Sequence, residues 1–162
     1  MKFDWPDLSA LQNESDVEQK LVYPLLVTEE PFGFGIAPNE ILTKKNIRRL
    51  TIGKGSDRKS YFPDYLVLIG GIPIVVIEAK KPEEDLDEAH REARLYATEV
   101  NAIYRPGINL LTKVVATNGV RLIAGAWDHE KPEIDMSSAE FSASSEKMAQ
   151  LHGLIGRAKP SN

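Results

Sequence analysis

Apolar residues recur every three or four positions along three stretches of the chain, which is the spacing of helices buried on one side. The stretches are residues 17–26, 82–101 and 146–157. Pro24 lies inside the first, so that helix is expected to kink there or to end near Tyr23. In the second, six residues form the expected buried stripe: Leu86, Ala89, Ala93, Tyr96, Ala97 and Val100.

The start of the first helix is predicted by a local pattern of polar residues. Ser15, followed three positions later by Glu18, fits a capping box, in which the serine caps the helix and the glutamate bonds back to it. This pattern gives Glu18 a structural explanation that competes with any chemical role.

Runs of β-branched and apolar residues predict strands at 61–69, 72–80, 113–117 and 120–127. Both faces of the first two runs are apolar, so these strands are expected to be central and covered on two sides. Residues 41–51 mix β-branched with basic residues and predict an exposed strand, whereas the polar residues 128–143 predict a loop. The order of helices and strands indicates an α/β sandwich with a mixed sheet.

Size and composition limit the class of protein. The 162 residues suit one domain, and 42% hydrophobic with 27% charged residues is ordinary globular usage. The longest apolar run, residues 72–77, is too short to cross a bilayer, and no signal peptide precedes it, so we expect a cytoplasmic protein with no membrane partner. The absence of cysteine excludes disulfides, thiolate zinc sites and a cysteine nucleophile.

Charge is unevenly distributed, although the net charge is only −4. Residues 44–59 contain seven lysines and arginines against one aspartate, and an acidic stretch follows from residue 81. A basic segment leading into carboxylates is suited to holding phosphates near a metal ion. The candidate phosphate contacts are Lys44, Lys45, Arg48 and Arg49. The alternative is a solvated basic surface without a ligand.

Two carboxylates and a lysine are expected to meet at one end of the predicted hairpin. Asp64 follows Pro63. Glu78 comes fourteen residues after Asp64, and Lys80, two residues further on, shares a face of the strand with Glu78. Such carboxylates suit Mg²⁺, which can polarise a phosphodiester and activate a water. The lysine can orient that water or offset charge in the transition state. The plainer alternative is that these groups solubilise a strand end and close a turn.

The hairpin geometry tests this interpretation. If Gly70-Gly71 formed a regular two-residue turn without a bulge, Asp64 would stand opposite Ile77, and the carboxylates of Asp64 and Glu78 would point to opposite faces. A shared metal therefore requires an odd-length loop or a β-bulge, which Pro73 favours because it lacks an N–H. We predict this irregularity, and that the two carboxylates come close enough to share one ion.

The motif from Pro63 to Lys80 resembles the PD-(D/E)XK nuclease signature. More narrowly, the chain is similar to the N-terminal nuclease domain of type I restriction-enzyme motor subunits, through this motif and residues 14–18, 92–97 and 116–119. The resemblance implies a restriction-endonuclease-like α/β core, a central mixed sheet flanked by helices. We expect one domain over residues 1–162, with its core at about 14–127 and a C-terminal loop and helix at 128–162.

The resemblance also implies roles for individual residues. Asp64 and Glu78 would bind the metal together with the carbonyl of Ala79, Lys80 would be the catalytic lysine, and Glu18 on the first helix would complete the site.

A second family motif, Gln-x-x-x-Tyr, falls on Glu92 and Tyr96, so a glutamate replaces its glutamine. These two residues are candidate contacts to the nucleic acid, although Tyr96 also lies on the apolar stripe and is explained equally well as core. The three histidines have no ligand spacing and are expected at the surface: His90, His129 and His152.

The function implied is that of a Mg²⁺- or Mn²⁺-dependent phosphodiesterase, an endonuclease that hydrolyses DNA in a restriction–modification or defence system. Partner subunits are expected, and a homodimer where both strands are cut. Two alternatives stay open: a catalytically silent copy of the fold that binds nucleic acid or a partner protein, and a nuclease that acts on RNA.

Overall fold

A six-stranded sheet forms the middle of the structure, a computed structural model that describes residues 6–44, 63–102, 107–142 and 144–156. The strands lie side by side in chain order, and every neighbouring pair is antiparallel except β3 and β4, which are parallel. The strands are β1 (Ile41–Thr43), β2 (Tyr65–Ile69), β3 (Ile72–Ala79), β4 (Lys113–Thr117), β5 (Arg121–Ala126) and β6 (Ile134–Ser137). The predicted α/β fold with a mixed sheet is confirmed.

Helices cover both faces of the sheet. The first, α1, consists of an α-helical turn (Glu14–Asp16), a π-helical segment (Val17–Val22) and an α-helical end (Tyr23–Val27). It packs on one face together with α3 (Glu146–Gly156), whereas α2 (Leu86–Asn101) packs on the other. Three short 3₁₀ turns complete the described elements: Leu8–Ala10, Pro38–Glu40 and Ser138–Glu140.

The start of α1 differs from the prediction. Asn13 is the N-cap, and its side-chain oxygen accepts a hydrogen bond from the Asp16 N–H at 2.8 Å. Ser15 therefore lies inside the helix, and the predicted capping box between Ser15 and Glu18 is wrong. Asparagine caps helices as well as serine does, and here it comes two residues earlier.

Of the two alternatives predicted for Pro24, a kink or an end of the helix near Tyr23, the end is wrong, because α1 continues to Val27. The Tyr23 N–H bonds the carbonyl of Glu18, five residues back, which is the π-helical register. Pro24 cannot donate the regular bond to the carbonyl four residues before it. The wide turn immediately before the proline keeps the helix continuous, and such turns are frequent at functional sites.

The β2–β3 hairpin contains the predicted irregularity. Its turn has two residues, Gly70 and Gly71, both with positive φ, which glycine adopts without strain. The register then shifts by one, leaving Ile74 of β3 without a partner on β2. Of the two irregularities predicted for the hairpin, the β-bulge is confirmed and the odd-length loop is excluded. One step beyond the last pair, Asp64 falls opposite Glu78.

The second helix begins later than predicted. Asp85 caps α2, its side chain accepting the Asp87 N–H at 2.9 Å, so residues 82–85 form a loop rather than the first turn. The predicted buried stripe is confirmed. His90 is also buried, so its placement at the surface is wrong. The buried face of α2 includes two polar residues, His90 and Asn101, that a pattern of apolar residues does not mark. His152 is half-buried beside Phe34, and His129 is exposed.

The polar stretch 128–143 contains β6 and is not only a loop, which corrects the prediction. The strand is an edge strand whose buried residues, Ile134 and Met136, alternate with more exposed ones. Two apolar residues in four positions are too weak a signal to predict a strand. Of the predicted strand 41–51, β1 occupies Ile41–Thr43, and residues 45–51 lie outside the described part. No helix within the described ranges is long and apolar enough to span a bilayer.

Candidate active site

Asp64 is held rigidly at the end of the sheet, immediately before β2. Its side chain is buried, and Oδ2 accepts a hydrogen bond of 2.7 Å from the Ala79 N–H on the neighbouring strand β3. A hydrogen bond to a charged acceptor that is fully removed from water is among the stronger ones in proteins. The carboxylate is therefore fixed relative to β3.

Three carboxylates meet where α1 passes Asp64. Oxygen atoms of Glu14, Glu18 and Asp64 lie within 4.8 Å of one another, close enough to hold one metal ion. The helix is tied to the sheet at this point because the Tyr65 hydroxyl donates to the Glu18 carbonyl at 3.2 Å. Glu14 was not predicted. Its spacing of four residues from Glu18 places both on one helical face, which is the signal that points to it.

Glu78 and Lys80 lie at the end of β3 on the α2 side of the sheet, the side that Val76 also faces. The Lys80 Nζ is 3.8 Å from Glu78 Oε1 and 3.8 Å from Glu92 Oε1 on α2. Glu78 is only 2% exposed, and its Oε2 has no hydrogen-bond partner in the described part of the chain. A buried carboxylate oxygen without a partner is costly in an apolar interior and fits a cation-binding role.

The structure thus brings Asp64 together with the carboxylates of α1, and Glu78 together with Lys80 and Glu92. Glu78 does not belong to the group whose oxygen atoms lie within 4.8 Å of one another. That Asp64 and Glu78 share one ion stays a prediction. The same holds for the Ala79 carbonyl as a ligand, since the contact shown is between its N–H and Asp64.

Lys44 enters the site from the residue directly after β1. Its Nζ lies 3.2 Å from Asp64 Oδ1. The sequence predicted a phosphate contact for Lys44, and the structure places it against a carboxylate of the candidate metal site. The other three predicted phosphate contacts, Lys45, Arg48 and Arg49, lie outside the described residues.

Burial and mutual repulsion raise the pKa values of Glu14, Glu18 and Glu78. Burial, followed by the hydrogen bond and the charge of Asp64, raises the pKa of Glu18 to about 8. Burial also raises the pKa of Glu78 to about 8, and Lys80 and Lys44 offset this only in part. The pKa of Glu14 is raised by burial and by Asp64. Near neutral pH these raised pKa values favour the protonated forms of Glu18 and Glu78 in the metal-free protein, and a bound cation would favour their charged forms instead.

Lys80 is held as a charged ammonium group. Burial alone would lower its pKa, but the neighbouring Glu78 and Glu92 outweigh burial, and the pKa is raised. Its backbone is fixed as well, because the Lys80 N–H donates to the Thr117 carbonyl at 2.9 Å. Lys80 is thus suited to supplying a fixed positive charge rather than to accepting a proton.

Asn118 supports the chain beyond Lys80. Its Nδ2 donates to the carbonyl of Glu84 at 3.1 Å and, more weakly, to that of Pro82 at 3.4 Å. Its Oδ1 accepts the N–H groups of Val120 and Arg121, both at 3.0 Å. The turn between β4 and β5 is therefore bonded to the loop that follows Lys80. The sequence singled out residues 116–119 by resemblance, and the structure gives this segment a positioning role.

The pair Glu92 and Tyr96 occupies two different environments on α2. Glu92 is half-buried beside Lys80, at the site. Tyr96 is 3% exposed and packs in the core between α2 and the sheet, with Leu66 and Val76. Its ring therefore contributes to packing, and a contact to nucleic acid stays a prediction for both residues.

The family whose model matches this chain is described as the type I restriction enzyme R protein N terminus, and it matches residues 44–132, more than half of the 162 residues. The chain belongs to this family. The type I restriction R-protein match begins at Lys44 and includes Asp64, Glu78 and Lys80, which confirms the resemblance found in the sequence. Glu14 and Glu18 lie before the matched segment. No curated protein and no solved structure matches the chain.

The donor atoms of this R-protein N-terminal domain fit a hard divalent cation. Glu14, Glu18 and Asp64 provide carboxylate oxygens, which are the ligands that Mg²⁺ and Mn²⁺ prefer. A chain without cysteine, whose acidic group contains no histidine, does not suit the softer transition metals.

Proposed function

We propose that this domain is a Mg²⁺- or Mn²⁺-dependent endonuclease that hydrolyses DNA as one component of a restriction system with partner subunits. The observation that carries the proposal is the convergence of the Glu14, Glu18 and Asp64 oxygens within 4.8 Å at the sheet end. It is supported by the family of restriction-enzyme domains to which the chain belongs. Because the chain belongs to this family, we also propose a cytoplasmic location.

In this proposal Asp64, Glu18 and Glu14 hold the cation, and Glu78 with the Ala79 carbonyl extends the ligand set toward α2. When bound, a divalent cation lowers the pKa of a coordinated water and polarises the phosphodiester. The protein fixes the geometry, because Asp64 is locked onto β3 and α1 is tied to β2 through Tyr65.

Lys80 provides the second part of the chemistry. As an ammonium group between Glu78 and Glu92, it places positive charge beside the position where the phosphate gains negative charge in the transition state. The two carboxylates hold the Lys80 side chain in one position, so that side chain need not move during the reaction.

The test is to incubate the whole chain with plasmid and with RNA in Mg²⁺, Mn²⁺ or EDTA. We expect metal-dependent nicking of plasmid that is lost in Asp64→Asn and Glu18→Gln. The control is Glu130→Gln, an exposed carboxylate away from the site, which should cut like the parent. Cleavage of RNA alone would assign an RNA-directed nuclease. Metal binding without any cleavage would favour the silent copy of the fold and overturn the proposal.

A further inference from the structure

We propose that Lys44 occupies the cation position on Asp64 in the metal-free protein, so that a divalent cation binds only by displacing the Lys44 ammonium group. This rests on the proposed function, because it concerns the same metal site. It makes Lys44 a residue that sets the affinity of the site for metal, in addition to any contact with phosphate.

The oxygens of Asp64 carry the first step of the argument. Oδ2 is committed to the Ala79 N–H at 2.7 Å, inside the sheet. Oδ1 accepts no hydrogen bond from the described residues, which makes it the more available oxygen for a cation, and it is the atom that lies 3.2 Å from Lys44 Nζ. A Mg²⁺–oxygen bond is about 2.1 Å long. An ion on Oδ1 would therefore meet the ammonium group at close range, and two positive charges at that distance repel strongly.

Lys44 is free to leave, whereas Lys80 is not. The Lys44 side chain is 51% exposed although its Nζ touches a carboxylate that is fully buried. It follows the edge strand β1, so its flexible stem can swing into solvent without disturbing the core. Lys80 is 18% exposed and lies between two carboxylates. Lys44, and not Lys80, is therefore the lysine whose ammonium group a divalent ion can displace.

Two effects of opposite sign follow when the charge of Lys44 is removed. The metal-free protein should become less stable, because a buried carboxylate loses its counter-ion. The affinity for metal should rise, because the ion no longer competes with the ammonium group. If Lys44 had a purely structural role, removing its charge would instead lower both the stability of the metal-free protein and its affinity for metal.

The experiment measures Mn²⁺ binding by calorimetry on the whole chain, comparing the parent with Lys44→Met and Lys44→Gln. We expect the Kd for Mn²⁺ to fall about tenfold or more in both variants, since a unit charge at this range acts strongly at a protein surface. Lys81→Met removes the same charge from an exposed lysine at the same end of β3. Its Kd should change by less than about threefold, because an exposed charge is screened. Thermal unfolding in EDTA should show a lower Tm for the Lys44 variants than for the parent, and a larger upward shift on adding Mn²⁺.

The outcomes separate the two proposals. If Asp64→Asn abolishes Mn²⁺ binding but the Lys44 variants bind no tighter than the parent, the displacement of Lys44 is wrong and the metal site stands. If the parent shows no Mn²⁺ binding that depends on Asp64, the proposed function fails, and the role of Lys44 fails with it. Should Lys44→Met not fold, Lys44→Gln, which is shorter than lysine but keeps a hydrogen-bond donor without the charge, decides the question.

Discussion

Asp64 and Glu78 look equivalent in the sequence, yet their surroundings predict opposite effects on stability. Asp64→Ala would leave the buried Ala79 N–H without its acceptor, which costs about 1–3 kcal/mol. Glu78→Gln replaces a buried carboxyl group, one oxygen of which has no partner among the described residues, by an amide that is neutral at every pH, so stability in EDTA should equal or exceed that of the parent. Urea unfolding of both variants checks the contrast. If both variants lost the same free energy of unfolding, the hydrogen bond between Asp64 and the Ala79 N–H would contribute little to stability.

Lys80 is predicted to act through its charge and not as a base. Lys80→Met should lower the rate of cleavage by about 100-fold or more, as loss of a preorganised charge does elsewhere. Lys80→Arg should recover part of that loss, because arginine keeps the positive charge but cannot accept a proton at neutral pH. Initial rates on plasmid, with Lys81→Met as the matched control, test this. An arginine variant as inactive as the methionine variant would argue for proton transfer.

His90 is predicted to make stability sensitive to mild acid. Burial, helped by the charge of Arg94 and opposed by Asp87, lowers the pKa of His90, and its Nε2 has no partner in the described part. Its contribution is therefore present above the unfolded pKa of about 6.5 and is lost as the pH falls below it. Urea unfolding at pH 7 and pH 5 should show a smaller loss for His90→Leu than for the parent. His129→Gln, at an exposed position, should lose as much as the parent.

At the scale of elements, the turn between β4 and β5 determines where the chain runs after Lys80. Asn118→Ala removes the bonds to Glu84 and Pro82 and leaves two N–H groups of the turn without an acceptor. We expect a loss of about 1–3 kcal/mol in the free energy of unfolding. We also expect a drop in kcat larger than any change in KM, because Lys80 is displaced while substrate contacts remain. A kcat that stays at the parent value in a folded variant would limit Asn118 to a structural role.

Elements were predictable where the signal is local and strong. The strand at 113–117 and the stripe of α2 follow directly from periodicity. Requiring Asp64 and Glu78 to share a face predicted an irregular hairpin, but it left open whether this was an odd-length loop or a bulge, and it did not place the bulge at Ile74. The prediction was wrong where equivalent local signals compete, as with Asn13 and Ser15 for the cap of α1. It was also wrong where pairing with a neighbour decides the structure: β6 is a strand because β5 offers it an edge, not because of its own four residues.

At the scale of the whole molecule, the family and the α/β fold could be predicted because their motifs are ordered along the chain. The composition of the site could be predicted only in part. The contact of Lys44 with Asp64 depends on how β1 aligns with β2, and the approach of Glu14 depends on how α1 docks on the sheet. The contact of Lys44 leaves no trace in the residues adjacent to it, and the only local sign of Glu14 is its spacing of four residues from Glu18. Contacts between distant segments are settled by packing, which no short stretch encodes.

The docking of α1 beside Asp64 has a consequence for synthesis in the cell. Glu14 and Glu18 leave the ribosome first, but their partner Asp64 follows some fifty residues later, and the Ala79 N–H that orients it later still. Domains generally fold as units as they emerge. A nascent chain that has not yet produced β3 therefore cannot hold a cation in the arrangement described here. Under the proposed function, the order of translation itself would delay the ability to cut DNA until the sheet is built.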